Sequence, residues 1–132
     1  MLPKVSLKMT QISTFEILFS TDFAEWRRYD IFIMGTCSDA AGECSGFVHA
    51  VSRGAEEHSP EAPHNRLKIT GIHCAGMELY IYVVANALPA SNRIGDNPPF
   101  ECRLEVRRDG EIAYDKIHMI NQWGGETIHI TI

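Results

Sequence analysis

Four cysteines, Cys37, Cys44, Cys74 and Cys102, are the first residues able to do chemistry. None stands in a C-x-x-C pair, so neither a thioredoxin-type redox motif nor a zinc ribbon is written here. Cys37 and Cys44 flank Ser38-Asp39-Ala40-Ala41-Gly42-Glu43, a polar stretch that reads as a hairpin loop. Cysteines at the base of such a loop come within bridging distance. A Cys37–Cys44 disulfide would place the chain outside the reducing cytosol, with a signal peptide already removed. The alternative is a set of small, partly buried thiols and a cytoplasmic address. Cys102 is in phase with Phe100, Leu104 and Val106, which directs it into the core.

Three further clusters carry chemical groups. Glu56-Glu57-His58-Ser59-Pro60-Glu61-Ala62-Pro63-His64 holds carboxylates and imidazoles of the kind that ligate divalent metals. Two prolines in a polar loop do not bring ligands to one point, and a solvated loop is the better reading. His73 precedes Cys74, with His49, His118 and His129 elsewhere. Neighbours on a strand point to opposite faces, so His73 cannot activate Cys74. The loop from Asn86 to Asn97 offers Asn86, Asn92, Asp96 and Asn97 to a hard cation, yet Asp96 is its one carboxylate. Asn, Asp, Gly and Pro are also ordinary turn residues. No catalytic residue, metal site or cofactor is assigned from these clusters. P-loop, G-x-S-x-G, H-E-x-x-H and G-x-G-x-x-G signatures are all missing.

The remaining candidates are aromatic: Trp26, Tyr29, Tyr80, Tyr82, Tyr114 and Trp123. Exposed rings on a sheet stack on sugars or anchor a protein. Tyr80 and Tyr82 share one side of a strand whose other side, Leu79, Ile81 and Val83, is core. Trp123 lies in the turn Asn121-Gln122-Trp123-Gly124-Gly125. Trp123, Tyr80, Tyr82 and Trp26 are therefore the ligand-binding candidates, set against the plainer reading that these rings complete the core.

The elements that must position them follow a period of two. Val5, Leu7 and Met9 alternate with polar neighbours, as do Phe15, Ile17 and Phe19. Thr21 to Trp26 could form one helical turn, since Asp22 can cap it with Glu25 three residues on, but a connection is the favoured reading. Tyr29 to Met34 is apolar on both faces after Asp30 and should stop at Gly35, the pattern of a strand near the centre of a sheet. Phe47 to Val51, Leu67 to Ile72 and Glu78 to Val84 follow, separated by an exposed excursion over residues 52–65. Phe100 to Val106 returns through Asp109-Gly110, which suits a type I′ turn, into Ile112 and Tyr114. Ile128, Ile130 and Ile132 alternate with Thr127, His129 and Thr131 at the end.

About eight short strands without a helix predict an all-β fold, an antiparallel β-sandwich of Ig-like or jelly-roll type. A small closed barrel is the alternative, and residues 1–132 form one domain on either reading. The 132 residues carry 12 basic and 17 acidic side chains, a net charge of −5, which argues against a nucleic-acid backbone as partner. No apolar run approaches the roughly 20 residues of a membrane-spanning helix.

Asn97-Pro98-Pro99-Phe100, the Asp109-Gly110 hairpin and Asn121-Gln122-Trp123-Gly124-Gly125 together resemble the closing hairpin of secreted β-sandwich modules from gut Bacteroides-type bacteria. The resemblance covers the last third of the chain and implies a periplasmic or surface location with an accessory role. It carries over no functional residue. The resulting expectation is a non-catalytic binding or interaction module of the bacterial cell envelope, its ligand a protein or a glycan. A small enzyme or metal protein with a Cys/His cluster assembled across strands is the competing expectation. A third is an accessory domain of a longer chain whose last strand, ending at Ile132, pairs with a further segment.

Overall fold

The computed structural model describes residues 11–56 and 65–132. The strand expected at Val5–Met9 and most of the Glu56–His64 cluster lie outside the described residues. Eight strands are present: β1 (Ser13–Thr21), β2 (Tyr29–Ser38), β3 (Cys44–Arg53), β4 (Asn65–Cys74), β5 (Gly76–Ala85), β6 (Phe100–Arg108), β7 (Glu111–Ile120) and β8 (Glu126–Thr131). They form two antiparallel sheets of four, in the orders β4-β1-β6-β7 and β3-β2-β5-β8. Among the described residues no strand pair joins one sheet to the other, so the molecule is an open sandwich and not a closed barrel.

Alternation along each strand builds the core. Phe15, Ile17 and Phe19 of β1, with Leu104 and Val106 of β6, meet Ile31 and Ile33 of β2 and Leu79 and Ile81 of β5. Each such side chain contributes about 1.5–3 kcal/mol when fully buried. Cys102 joins them, as its phase predicts. The Asp109-Gly110 turn forms with φ of 51° and 83°, both in the left-handed region a type I′ hairpin requires.

Two local expectations are revised. The helical turn is a single 3₁₀ turn displaced to Trp26–Arg28, and Glu25 holds Arg28 through a 3.1 Å ion pair. Gly35 does not stop β2, which continues to Ser38. A Cβ at Gly35 would stand 2.7 Å from both the Glu78 carbonyl oxygen and Leu79 Cδ2, so glycine here admits the close approach of β5.

At one end of the sandwich the ring of Phe23 stacks on Phe100 at 4.2 Å, and Tyr29 packs against both. The Tyr29 hydroxyl donates to the Gln122 carbonyl oxygen at 2.7 Å. The Gln122 side chain donates to the Pro98 carbonyl oxygen and accepts from Arg28, each at 2.7 Å. These bonds tie the β2 entrance to the β7–β8 turn.

Candidate functional site

The two outer faces of the sandwich differ in chemistry. On the sheet β4-β1-β6-β7, the outward positions pair Glu16 with Arg107, Leu18 with Glu105 and Ser20 with Arg103, with Arg66 and Lys68 beyond them on β4. Arg103 grips Asp115 through two bonds of 2.8 and 2.6 Å, and Arg107 meets Glu105 at 3.1 Å. This surface is charge-paired over β1 and β6, while Ile112, Ile117 and Met119 stand exposed along its β7 edge.

The outer face of β3-β2-β5-β8 is aromatic and apolar at its centre. Register places Phe32 between Val51 and Tyr82, Met34 between His49 and Tyr80, and Thr36 between Phe47 and Glu78. On the far side of β5, Tyr80 faces His129 and Tyr82 faces Thr127. Phe47 is 82% exposed, Met34 47% and Val84 46%, while Phe32, Tyr80 and Tyr82 are half-buried. Arg53 lies over the Phe32 ring at 5.6 Å and forms a charged rim.

Rings on this face order one another. Tyr80 stacks on His129, with centroids 4.3 Å apart and planes within 4°, and runs nearly parallel to Tyr82 at 6.4 Å. Glu78 Oε1 accepts from the Tyr80 hydroxyl at 2.8 Å and from His129 Nε2 at 2.9 Å. The bond from Tyr80 first, then that from His129, holds the Glu78 carboxyl below its usual range. The same bond to Glu78 is the main cause that pushes the Tyr80 phenol up, so it stays a neutral donor.

The structure thus brings Tyr80 and Tyr82 together but separates the tryptophans from them. Trp26, one of the ligand-binding candidates, is 1% exposed and covered by the Arg27 guanidinium at 4.3 Å, as the plainer reading of a core ring requires. Trp123 is half-buried in the β7–β8 turn, where its main-chain N–H donates to Asn121 Oδ1 at 2.8 Å. Phe32, Met34, Phe47, His49 and His129 complete the face; the sequence named His49 and His129 only as possible partners of a cysteine and placed none of the five here. Their shared side becomes visible only once the order β3-β2-β5-β8 is known.

The other clusters do not assemble. His73 points outward to Thr14 Oγ1 at 3.1 Å while Cys74 is buried, as strand alternation requires. His118 pairs with the Tyr114 hydroxyl at 2.9 Å. Among the described residues no three His, Cys, Asp or Glu side chains converge as metal ligands. In the Asn86–Asn97 loop the amides are engaged within the protein: Asn86 donates to the Arg27 carbonyl oxygen and to Asp30 Oδ1, and Asn97 donates to the carbonyl oxygens of Ser91 and Arg93. Asp96 accepts from Ser91 at 2.7 Å.

The disulfide considered between Cys37 and Cys44 is not formed, and all four cysteines are free thiols. The β2–β3 register explains this. Cys37 pairs with Gly46, but an irregularity follows, and Ser38 pairs with Cys44. Cys37 therefore faces the core while Cys44 is exposed.

No sequence-family model matches the chain, and no curated protein does. Two solved structures match the chain. One is a domain of unknown function, DUF4425, from Bacteroides vulgatus: 13% identical, covering 94% of this chain and 96% of its own, with a TM-score of 0.54. The other is a DUF4425 family protein from Bacteroides ovatus: 12% identical, covering 93% of each chain, with a TM-score of 0.45. At this identity the first likeness shows that the Bacteroides vulgatus domain and the chain described here share a sandwich fold across nearly their whole lengths.

Proposed function

We propose that the chain is a non-catalytic interaction module of the bacterial cell envelope, docking a protein partner on the outer face of β3-β2-β5-β8. The observation that carries this is the clustering of rings and Met34 on that face, Phe32, Phe47, Tyr80 and Tyr82, where the opposite face carries ion pairs over β1 and β6 and apolar, non-aromatic side chains along β7. Tyr, Phe and Met are enriched, and charges depleted, at the centre of protein interfaces. A protein fits better than a sugar because stacking on a sugar requires a bare ring face, and His129 already covers one face of Tyr80. The envelope location rests on the resemblance of the C-terminal third to secreted Bacteroides-type modules.

The test is capture of envelope proteins from the source organism on the immobilised chain, compared across variants. A specific partner lost with Met34→Asp and Phe47→Asp but retained with Glu16→Lys, on the opposite face, supports the reading. Capture indifferent to the two face variants overturns it. Selective binding of a soluble polysaccharide, lost with Tyr82→Ala, replaces the protein partner with a glycan.

A further inference from the structure

We propose that Cys37 and Cys74 form a paired redox site that closes into an inter-sheet disulfide by exchange with a small-molecule disulfide such as oxidised glutathione. The two residues belong to different sheets, Cys37 on β2 and Cys74 at the end of β4. Chain crossing brings them together: the Ala75 main-chain N–H, one residue past Cys74, donates to the carbonyl oxygen of Ser38, one residue past Cys37, at 2.8 Å. Both side chains are buried, Cys37 at 7% and Cys74 at 1% exposed, and both belong to the same core cluster.

The two thiols have unequal access. A cleft of about 360 Å³ opens between β3 and β4, the neighbouring edge strands of the two sheets. Cys37 lines it, with Val48, His49, Ile69, Ile72 and His73, and Cys74 does not. Burial, then the neighbouring Cys37, pushes the Cys74 thiol up to about 12, which leaves it protonated. Cys37 is thus the attacking group and Cys74 the resolving one.

In the first step the Cys37 thiol loses its proton and its sulfur attacks one sulfur of oxidised glutathione. The S–S bond breaks, and one glutathione leaves as a thiolate that takes up a proton. In the second step Cys74 gives up its proton and attacks the Cys37 sulfur of the mixed disulfide, and the second glutathione leaves. The protein loses two electrons and two protons, and glutathione disulfide becomes two thiols. The other cysteines are placed outside this exchange, because Cys44 lies on the outer side of β3 and Cys102 is buried on β6.

The experiment incubates the folded full chain with oxidised glutathione, then denatures it in an alkylating agent without reductant. Intact mass and a peptide map are read. The expected result is a Cys37–Cys74 linked peptide, the loss of two alkylatable thiols on this account, and a melting temperature raised by several degrees until dithiothreitol is added. Cys44→Ser keeps the bridge, while Cys74→Ala stops at a mixed disulfide on Cys37. Absence of the linked peptide from oxidised wild-type chain, or a bridge that includes Cys44, overturns the proposal. The wild-type map decides the matter even where Cys74→Ala fails to fold.

Discussion

The imidazole of His129 lies flat on the ring of Tyr80, and both side chains bond the same oxygen of Glu78. Directly opposed residues on adjacent antiparallel strands are the unit of sheet stabilisation, and aromatic pairs add about 0.5–1.5 kcal/mol beyond the area they bury. A double-mutant cycle over Tyr80→Ala and His129→Ala, read by denaturant unfolding, is expected to give a coupling of about that size. A coupling indistinguishable from zero would show that the stack does not persist in solution.

Strand β5 separates stability from recognition along one sequence. Ile81 is fully buried and Tyr82, next to it, lies on the outer face. Ile81→Ala should cost about 2–5 kcal/mol through lost transfer energy and the cavity left behind. Tyr82→Ala should cost about 1 kcal/mol, the scale of a cross-strand contact. Equal losses in urea titrations would make Tyr82 a structural residue and remove the support for an outer recognition face.

The inward half of this design is legible in the chain because alternation is local. Leu79, Ile81 and Val83 declare a core face, Cys102 declares its phase, and Asp109-Gly110 declares its turn. The outer face is not legible, because its members come from four strands whose order departs from chain order. Met34 meets His49 on one side and Tyr80 on the other only through that order. Trp26 shows the same limit, since its sequence leaves a ligand-binding ring and a core ring both open until packing buries it. Proximity in sequence likewise favours Cys44 as the partner of Cys37, whereas the irregular β2–β3 register turns Cys44 away and the β4–β5 crossing brings Cys74 near.

His118 should make stability fall on mild acidification. Burial first, then the nearby Lys116, lowers its pKa below the ordinary histidine value. With the folded value depressed, the unfolded chain binds the extra proton first. The contribution is fully present above about pH 6.5 and is lost as pH falls through the folded value. The melting temperature is therefore expected to drop between about pH 7.5 and 5.5, and His118→Gln should flatten that drop. An unchanged slope in His118→Gln would assign the effect elsewhere. Asp115, held low chiefly by Arg103, and Asp109, held low chiefly by the Thr14 N–H, act in the same direction at lower pH.

Gly125 combines two demands that no other residue meets. Its φ is +71°, in the left-handed region, and a Cβ there would run into the Val83 carbonyl oxygen. It also closes the β7–β8 turn, where its N–H donates to the Asn121 carbonyl oxygen at 2.9 Å. Gly125→Ala is expected to cost about 2–4 kcal/mol, whereas Gly124→Ala, with open space around its Cα, should cost far less. Comparable melting temperatures for the two variants would contradict this turn geometry.

The bond from Tyr29 to Gln122 should be the most sensitive polar contact of the core. Burial pushes the Tyr29 phenol up, so it remains a neutral donor across the working pH range. Tyr29→Phe keeps the packing against Phe23 and Phe100 but leaves the buried Gln122 carbonyl oxygen without its donor. The expected cost is about 1–3 kcal/mol. Gln122→Ala removes different bonds, those to Arg28 and to the Pro98 carbonyl oxygen, while the main-chain acceptor for Tyr29 survives. The two losses should therefore be close to additive in the double variant. Strong non-additivity would mean that the Gln122 side chain positions its own carbonyl for Tyr29, and that this end of the sandwich behaves as a single network.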